Sequence, residues 1–207
     1  MPAWAQVFFG FAAYGAVHSA LLTPGARRGL EALVGRRAFE GLFRIFFNVQ
    51  AAVLLAAFAV WAASLPDREL FRVEGAGAWL LWGVRLAGLG FIARCASALG
   101  LTAFLGLDDL RAWRQGRAPG GDGVETGVLS VEGPYRWVRH PMYAAGFAVL
   151  WADPRWTANA VAFAAAASLY LWLGSLHEER RLTRFYGQAY RAYAARTPRF
   201  LPRLRRP

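Results

Sequence analysis

Two short stretches of this chain hold the residue types best able to do chemistry. The first is Gly133-Pro134-Tyr135-Arg136-Trp137-Val138-Arg139-His140-Pro141-Met142-Tyr143, with Gly146 following shortly after. Proline disfavours helical backbone in the residue before it, so Pro141 should hold His140 extended, with the local amides and carbonyls open to a ligand. Gly133-Pro134 sets a turn ahead of it and displays Tyr135, Arg139, His140 and Tyr143 at the start of an apolar helix. A cation, an imidazole and two phenols together suit an anionic, hydrogen-bonding group. The same residue types also build the belt of Arg, Trp and Tyr that anchors a protein among lipid headgroups, and spacing alone leaves both readings open.

The second stretch is His177-Glu178-Glu179, continuing through Leu182, Phe185-Tyr186-Gly187, Tyr190 and Tyr193 to Pro198-Arg199-Phe200-Leu201-Pro202. On one continuing helix Glu179 shares a stripe with Thr183, Tyr186, Tyr190 and Tyr193, while Glu178 points elsewhere. One carboxylate can therefore face a bundle interior. The alternative is ion pairing with Arg180, Arg181 and Arg184 on a solvated surface.

The elements that must position these residues are apolar. Blocks with little or no charge run over Trp4–Leu22, Ile45–Leu65, Gly75–Leu107 and Trp156–Leu176, each long enough to cross hydrocarbon as a helix. Met142–Ala152 is a shorter block, below the roughly 17 residues a crossing needs, and completes a span only if Tyr135–Pro141 is buried beside it. With Asp153-Pro154 as the turn, this block and the next form a tight helical hairpin. The expected fold is therefore all-α: a polytopic membrane helical bundle of about five transmembrane helices, with the short hairpin and a cytoplasmic helix at the C-terminal end. Arg111–Val131, rich in Gly, Pro and Asp, reads as a polar inside loop.

Composition supports a membrane solvent. Of 207 residues 57% are hydrophobic, with nine Trp and fifteen Phe, more apolar surface than one compact soluble core would bury. The net charge of +11 comes from Arg lying between apolar blocks rather than in one aromatic-laced patch, which argues against nucleic acid as a partner and fits membrane lipids. The single cysteine, Cys95, excludes an intramolecular disulfide. The opening Met-Pro-Ala-Trp lacks a basic leader, so the first block is expected to be a retained span. His18, His140 and His177 have no metal-ligand spacing, and no metal is expected.

Positive charge sets the expected topology. Five crossings from an outside N-terminus place Arg27, Arg28, Arg36, Arg37 and Arg44 inside, with Arg111, Arg114, Arg117, Arg136 and Arg139 and the nine from Arg180 to Arg206. Only Arg68, Arg72 and Arg155 fall outside. Both candidate stretches then meet the cytoplasmic face, as expected of a bacterial inner-membrane protein. Arg85, near the outer end of the third block, can snorkel. Arg94 lies deeper, where an ionisable side chain either faces a substrate cavity or pairs with a backbone carbonyl.

Taken together, the stretches resemble the isoprenylcysteine carboxyl methyltransferase and phospholipid methyltransferase superfamily. Its signature runs G-x-Y-x-x-x-R-H-P-x-Y, a later Gly, a hairpin, E-E, an F/Y-G and paired Tyr before a Pro-ended tail. The match covers Gly133 to Pro202, about a third of the chain. The resemblance implies that both segments close over S-adenosylmethionine, through Tyr135, Arg139, His140, Pro141, Tyr143, Gly146, Glu178 and Glu179. His140, Glu179 and Arg94 become the candidate catalytic residues. His18-Ser19, Phe43-Arg44 and Asn48 look like the branch holding methanethiol S-methyltransferases and membrane proteins associated with nitrite and nitric oxide reduction, which makes His18, Arg44 and Asn48 candidate substrate residues. Prenylcysteine methyltransferases place an Arg one to two turns before the paired Glu, where this chain has Leu171-Trp172-Leu173-Gly174, so a carboxylate-bearing prenylcysteine is disfavoured.

The expected activity is methyl transfer to a small apolar or lipid-like acceptor bearing a thiol, carboxylate or amine. Methyl transfer needs the reacting atoms held in line in a water-poor pocket. Residues 1–132 would form the substrate-side bundle and 133–207 the cofactor-binding hairpin and tail. The rivals are an NADPH-dependent membrane reductase of the sterol-reductase type and a non-catalytic membrane subunit that keeps the pocket.

Overall fold

Glycine and proline divide the apolar blocks more finely than hydropathy does. The computed structural model describes residues 1–98, 100–118, 129 and 131–203. Helix α1 (Ala3–Ala20) stops before Thr23, whose Oγ1 accepts from the Ala26 amide at 3.3 Å and caps α2 (Pro24–Val34). The two helices are bent by 60°. Gly35, at φ +83°, then turns the chain into α3 (Arg36–Ala63), a conformation open to glycine because it has no Cβ.

After strand β1 (Glu69–Arg72) comes α4 (Gly75–Ala98). The block expected to run unbroken to Leu107 is divided at Gly100 and Gly106, with φ of +84° and +82°, giving the short helices α5 (Leu101–Leu105) and α6 (Leu107–Arg114). Helix α6 also corrects the expected loop, since Arg111–Arg114 are helical, with Asp108 and Asp109 favourably placed in its first turn. Most of the remaining loop, 119–128 and 130, lies outside the described residues. Gly133–Arg136 form a 3-10 turn, followed by α7 (Pro141–Trp151), β2 (Arg155–Thr157), α8 (Ala158–Tyr186) and α9 (Gln188–Arg196). The strands β1 and β2 pair in a small two-stranded sheet, which the sequence did not signal.

The protein is a membrane helical bundle. Helices α3, α4 and α8 are long and apolar enough to cross a bilayer, and the bent α1–α2 pair makes a fourth candidate. The chain itself buries only 6% of the apolar window of α3 and none of that of α4, so lipid is the solvent their side chains require. The eleven-residue α7 is too short to cross alone, as its sequence indicated.

Contacts divide the chain into two interleaved units. One comprises Met1–Glu69, Ala96–Thr126 and Thr157–Ala166. Within it Phe11 packs edge-on against Phe58 and Phe163, and α6 lies along α3. Gly106 comes so close to α3 that an added Cβ would stand 2.8 Å from the Ile45 amide nitrogen.

The other unit comprises Leu70–Cys95, Gly127–Trp156 and Ala167–Pro207. Here α4 and α7 touch where Gly88 would place a Cβ 2.7 Å from Val149, and α7 meets α8 where Gly146 would place one 3.1 Å from Leu171. Arg85 does not simply snorkel: its Nη1 pairs with Asp153 Oδ2 at 2.6 Å, at the turn of the hairpin. The Trp151 indole donates to Ser168 Oγ at 2.9 Å, tying the arms of the hairpin together.

Candidate active site

The entrance to α7 takes the shape that its prolines dictate. Pro141 occupies the first helical turn and His140 sits before it at φ −124° and ψ 68°, outside the helical region as expected. The backbone there is not open to a ligand, however. The Arg139 amide donates to the Pro198 carbonyl at 2.8 Å and the His140 amide to that of Arg199 at 3.1 Å. Non-helical backbone in an apolar setting must find partners, and the C-terminal tail supplies them.

The paired carboxylates arrive from α8, which runs on beyond its apolar part to Tyr186. His140 lies between them, with Nε2 3.1 Å from Glu179 Oε1 and Nδ1 3.6 Å from Glu178 Oε2. Its ring is 5% exposed and lies parallel to that of Tyr143 at 5.2 Å, with Phe200 at 5.8 Å on its border. Tyr143 also interacts with the Glu178 carboxylate.

Glu179 is the more heavily engaged of the two. It accepts from Arg139 Nε at 2.8 Å and from both Arg199 Nε at 3.0 Å and Arg199 Nη2 at 2.6 Å. Arg139 Nη1 donates further to the carbonyls of Ala194 and Thr197, at 2.8 and 2.7 Å, so one guanidinium ties the entrance loop, α8, α9 and the tail together. Glu178 keeps 35% of its side chain exposed against 15% for Glu179, and is the carboxylate a ligand reaches more easily.

Tyrosines flank the cluster. Tyr193 donates to the Tyr135 carbonyl at 2.7 Å, and burial pushes its phenol up to about 12, with the positive charge of Arg139 pulling the other way. Burial also raises Tyr135 and Tyr190, and the Glu179 charge adds to the rise at Tyr190. Hydrogen bonding to Glu179 raises the Arg199 guanidinium further. The tyrosines do not arrive as the expected continuous stripe. Gly187, at φ +56°, ends α8 after Tyr186, and Tyr190 and Tyr193 return on α9.

The structure thus brings Tyr135, Arg139, His140, Pro141, Tyr143, Glu178 and Glu179 into one neighbourhood. Gly146 serves the close approach of α7 to α8. Arg94 is on α4 of the same unit, exposed and next to the buried Cys95. His18, Arg44 and Asn48 belong to the other unit. There His18 stacks on Phe47 at 4.2 Å, Asn48 Nδ2 donates to the Phe104 carbonyl at 3.0 Å, and Arg44 lies 3.7 Å from Asp109 and reaches the Ala103 carbonyl. The last two residues hold the α5–α6 corner onto α3.

Arg199 is the residue sequence reasoning passed over. It sits twenty positions from Glu179, and nothing in a helical or strand period links the two. Its one signal was its place in the Pro-bounded tail. Among the described residues no group of three or more His, Cys, Asp or Glu is placed to hold a metal ion.

Residues 6–159 match the NnrU protein family. The chain is 31% identical over 158 residues to methanethiol S-methyltransferase 2 of Bradyrhizobium diazoefficiens, covering 75% of this chain and 58% of that one. It is 38% identical over 72 residues to methanethiol S-methyltransferase of Pseudomonas deceptionensis, covering 35% and 28%. A stretch of 68 residues is 38% identical to the methanethiol S-methyltransferase of Mycobacterium tuberculosis, covering 33% and 28%. The chain therefore aligns with little more than half the length of the first of these relatives and under a third of the others. No solved structure matches.

Proposed function

Since the chain belongs to the NnrU protein family, we propose that it is an integral-membrane methyltransferase that uses S-adenosylmethionine and acts on a small apolar acceptor, a thiol by its likeness to the methanethiol enzymes. The observation that carries this reading is the placement of buried His140 between Glu178 and Glu179, with Arg139 and Arg199 sharing one carboxylate. In this reading residues 133–207 supply the cofactor-binding part, and the Arg distribution sets the cluster at the cytoplasmic face of the inner membrane, with the N-terminus outside and the C-terminus inside.

The donor set fits the cofactor. Its amino-acid end carries an ammonium and a carboxylate, and the cluster offers one partly exposed carboxylate at Glu178 beside two guanidiniums that share Glu179. The phenol oxygen of Tyr190 is buried without a hydrogen-bond partner among the described residues, an orphaned polar atom in the same cluster. When bound, S-adenosylmethionine supplies a sulfonium-activated methyl group for in-line displacement by a nucleophile.

The chain's own residues have three tasks. Glu179, with its oxygens taken by guanidiniums, orients His140 and Arg139. Glu178, the more exposed carboxylate, holds the cofactor's ammonium or ribose hydroxyls, and His140 or a neighbouring Glu takes the proton of a thiol acceptor. Tyr143, Phe147 and Phe200 crowd the His140 side with aromatic surface and exclude water. Arg94 is not needed in this scheme.

The test is calorimetry on the purified chain in detergent. S-adenosylhomocysteine should bind, NADPH should not, and His140→Ala should weaken the binding at least tenfold without loss of helical signal. Binding of NADPH in place of S-adenosylhomocysteine would move the chain to the reductases. If S-adenosylhomocysteine binds and no thiol, lipid or carboxylate acceptor is methylated, the chain is a non-catalytic subunit.

A further inference from the structure

A cavity of about 400 Å³ opens where three helices of one unit begin or end. Trp4 at the start of α1, Pro66, Asp67 and Arg68 just past α3, and Asn159 at the start of α8 all line it. Helices α3 and α8 are long and apolar enough to cross a bilayer, so their ends, and the cavity with them, lie at headgroup level. Trp4, 52% exposed, is the residue type suited to that interface. Glu178 and Glu179 belong to the opposite end of α8.

Asn159 is 8% exposed, and its Oδ1 is buried with no hydrogen-bond partner among the described residues. The orientation of the amide is set, because Nδ2 donates to the Pro66 carbonyl at 3.2 Å, a task the oxygen could not perform. The orphaned atom is therefore an acceptor, and what it lacks is an N–H or O–H donor. Asp67 uses Oδ1 to accept the Arg68 amide at 2.8 Å and the Asn159 amide at 3.1 Å, which caps α8 and leaves Oδ2 outside these bonds. Arg68, next in the chain, is exposed. Two acceptors, one of them charged, and one guanidinium around the same cavity match a ligand that carries both signs. An anionic lipid would meet Asp67 with like charge, and a trimethylammonium headgroup has no N–H to give Asn159.

We infer that this cavity seats the headgroup of a zwitterionic phospholipid ending in a primary ammonium, with Asn159 Oδ1 and Asp67 receiving the ammonium and Arg68 the phosphate. The lipid is held here as a structural partner and not as a methyl acceptor, so the inference stands apart from the methyltransferase reading.

The experiment is native mass spectrometry of the whole chain released from detergent containing equal amounts of dioleoyl phosphatidylethanolamine, phosphatidylcholine and phosphatidylglycerol. The native chain retains phosphatidylethanolamine about tenfold or more over each of the others, the worth of a hydrogen bond to a charged group. Asp67→Asn keeps an oxygen for both amides and removes the charge, so it melts close to the native temperature without lipid and loses most of that preference. Arg68→Gln, at an exposed position, weakens retention of phosphatidylethanolamine. Soluble O-phosphoethanolamine at the same concentration displaces none of the lipid. Equal retention of the three lipids by the native chain, or retention unchanged by either substitution, overturns the inference. Displacement by O-phosphoethanolamine assigns the cavity to a soluble ligand and overturns the lipid as its occupant.

Discussion

The Glu179–Arg199 pair offers the sharpest test of the cluster, because two bonds of 3.0 and 2.6 Å join the same two groups. The perturbation is Glu179→Gln and Arg199→Met, singly and together. Hydrogen bonds to charged groups contribute about 1.5–3 kcal/mol, and the side chains here are 15% and 27% exposed, so screening takes the coupling to the lower part of that range, about 2 kcal/mol. In a chain of this length each kcal/mol moves the melting temperature by roughly 2–4 °C, so Arg199→Met should melt about 4–8 °C below the native protein, and Glu179→Gln, which also disturbs the bonds to Arg139 and His140, at least as far below. The double variant should melt no lower than the worse single one, since the second substitution finds nothing left to break. The tail stays attached in Glu179→Gln, held by Arg139 Nη1 on the Ala194 and Thr197 carbonyls and by the amides of Arg139 and His140. Thermal unfolding in one detergent, followed by tryptophan fluorescence, reads all four proteins. Additivity of the two substitutions within about 0.5 kcal/mol would show that the carboxylate and guanidinium do not meet, and the argument for the site would go with it.

Two further expectations concern backbone and protonation. Gly106→Ala should cost at least about 2 kcal/mol, since φ is +82° and the new Cβ would stand 2.8 Å from the Ile45 nitrogen and 2.9 Å from Arg44 Cβ, whereas Gly83→Ala, with open space around it, should melt at or above the native temperature. Tyr193 has its phenol pushed up to about 12, above the usual value near 10, so the folded state keeps a proton that the unfolded chain gives up. Stability should therefore be full below about pH 10 and fall as pH rises toward 12, and Tyr193→Phe should make that alkaline loss shallower in melting curves taken across the range.

Much of this protein was settled by local pattern. Apolar blocks of twenty or so residues are helices in lipid because a helix satisfies its own backbone, and α3, α4 and α8 follow the blocks that hydropathy marks. Pro141 fixed the break at His140 whatever packs around it, and the order of the two chemical segments was enough to point to a methyltransferase-like family. Packing decided the remainder. Which carboxylate is engaged and which stays open depends on Arg199 returning from twenty residues away, and the loop amides, unpaired in any local reading, are taken by the same tail. Gly187 moved the tyrosines from a helical stripe onto a separate helix, and Arg44 and Asn48 became ties for the corner that Gly100 and Gly106 create. A sequence reports dihedral preference and hydrophobic period, which act over a few residues. Hydrogen bonds between groups far apart in the chain are fixed only when the whole chain has chosen its partners, and that is where Arg199 and the orphaned phenol of Tyr190 became visible.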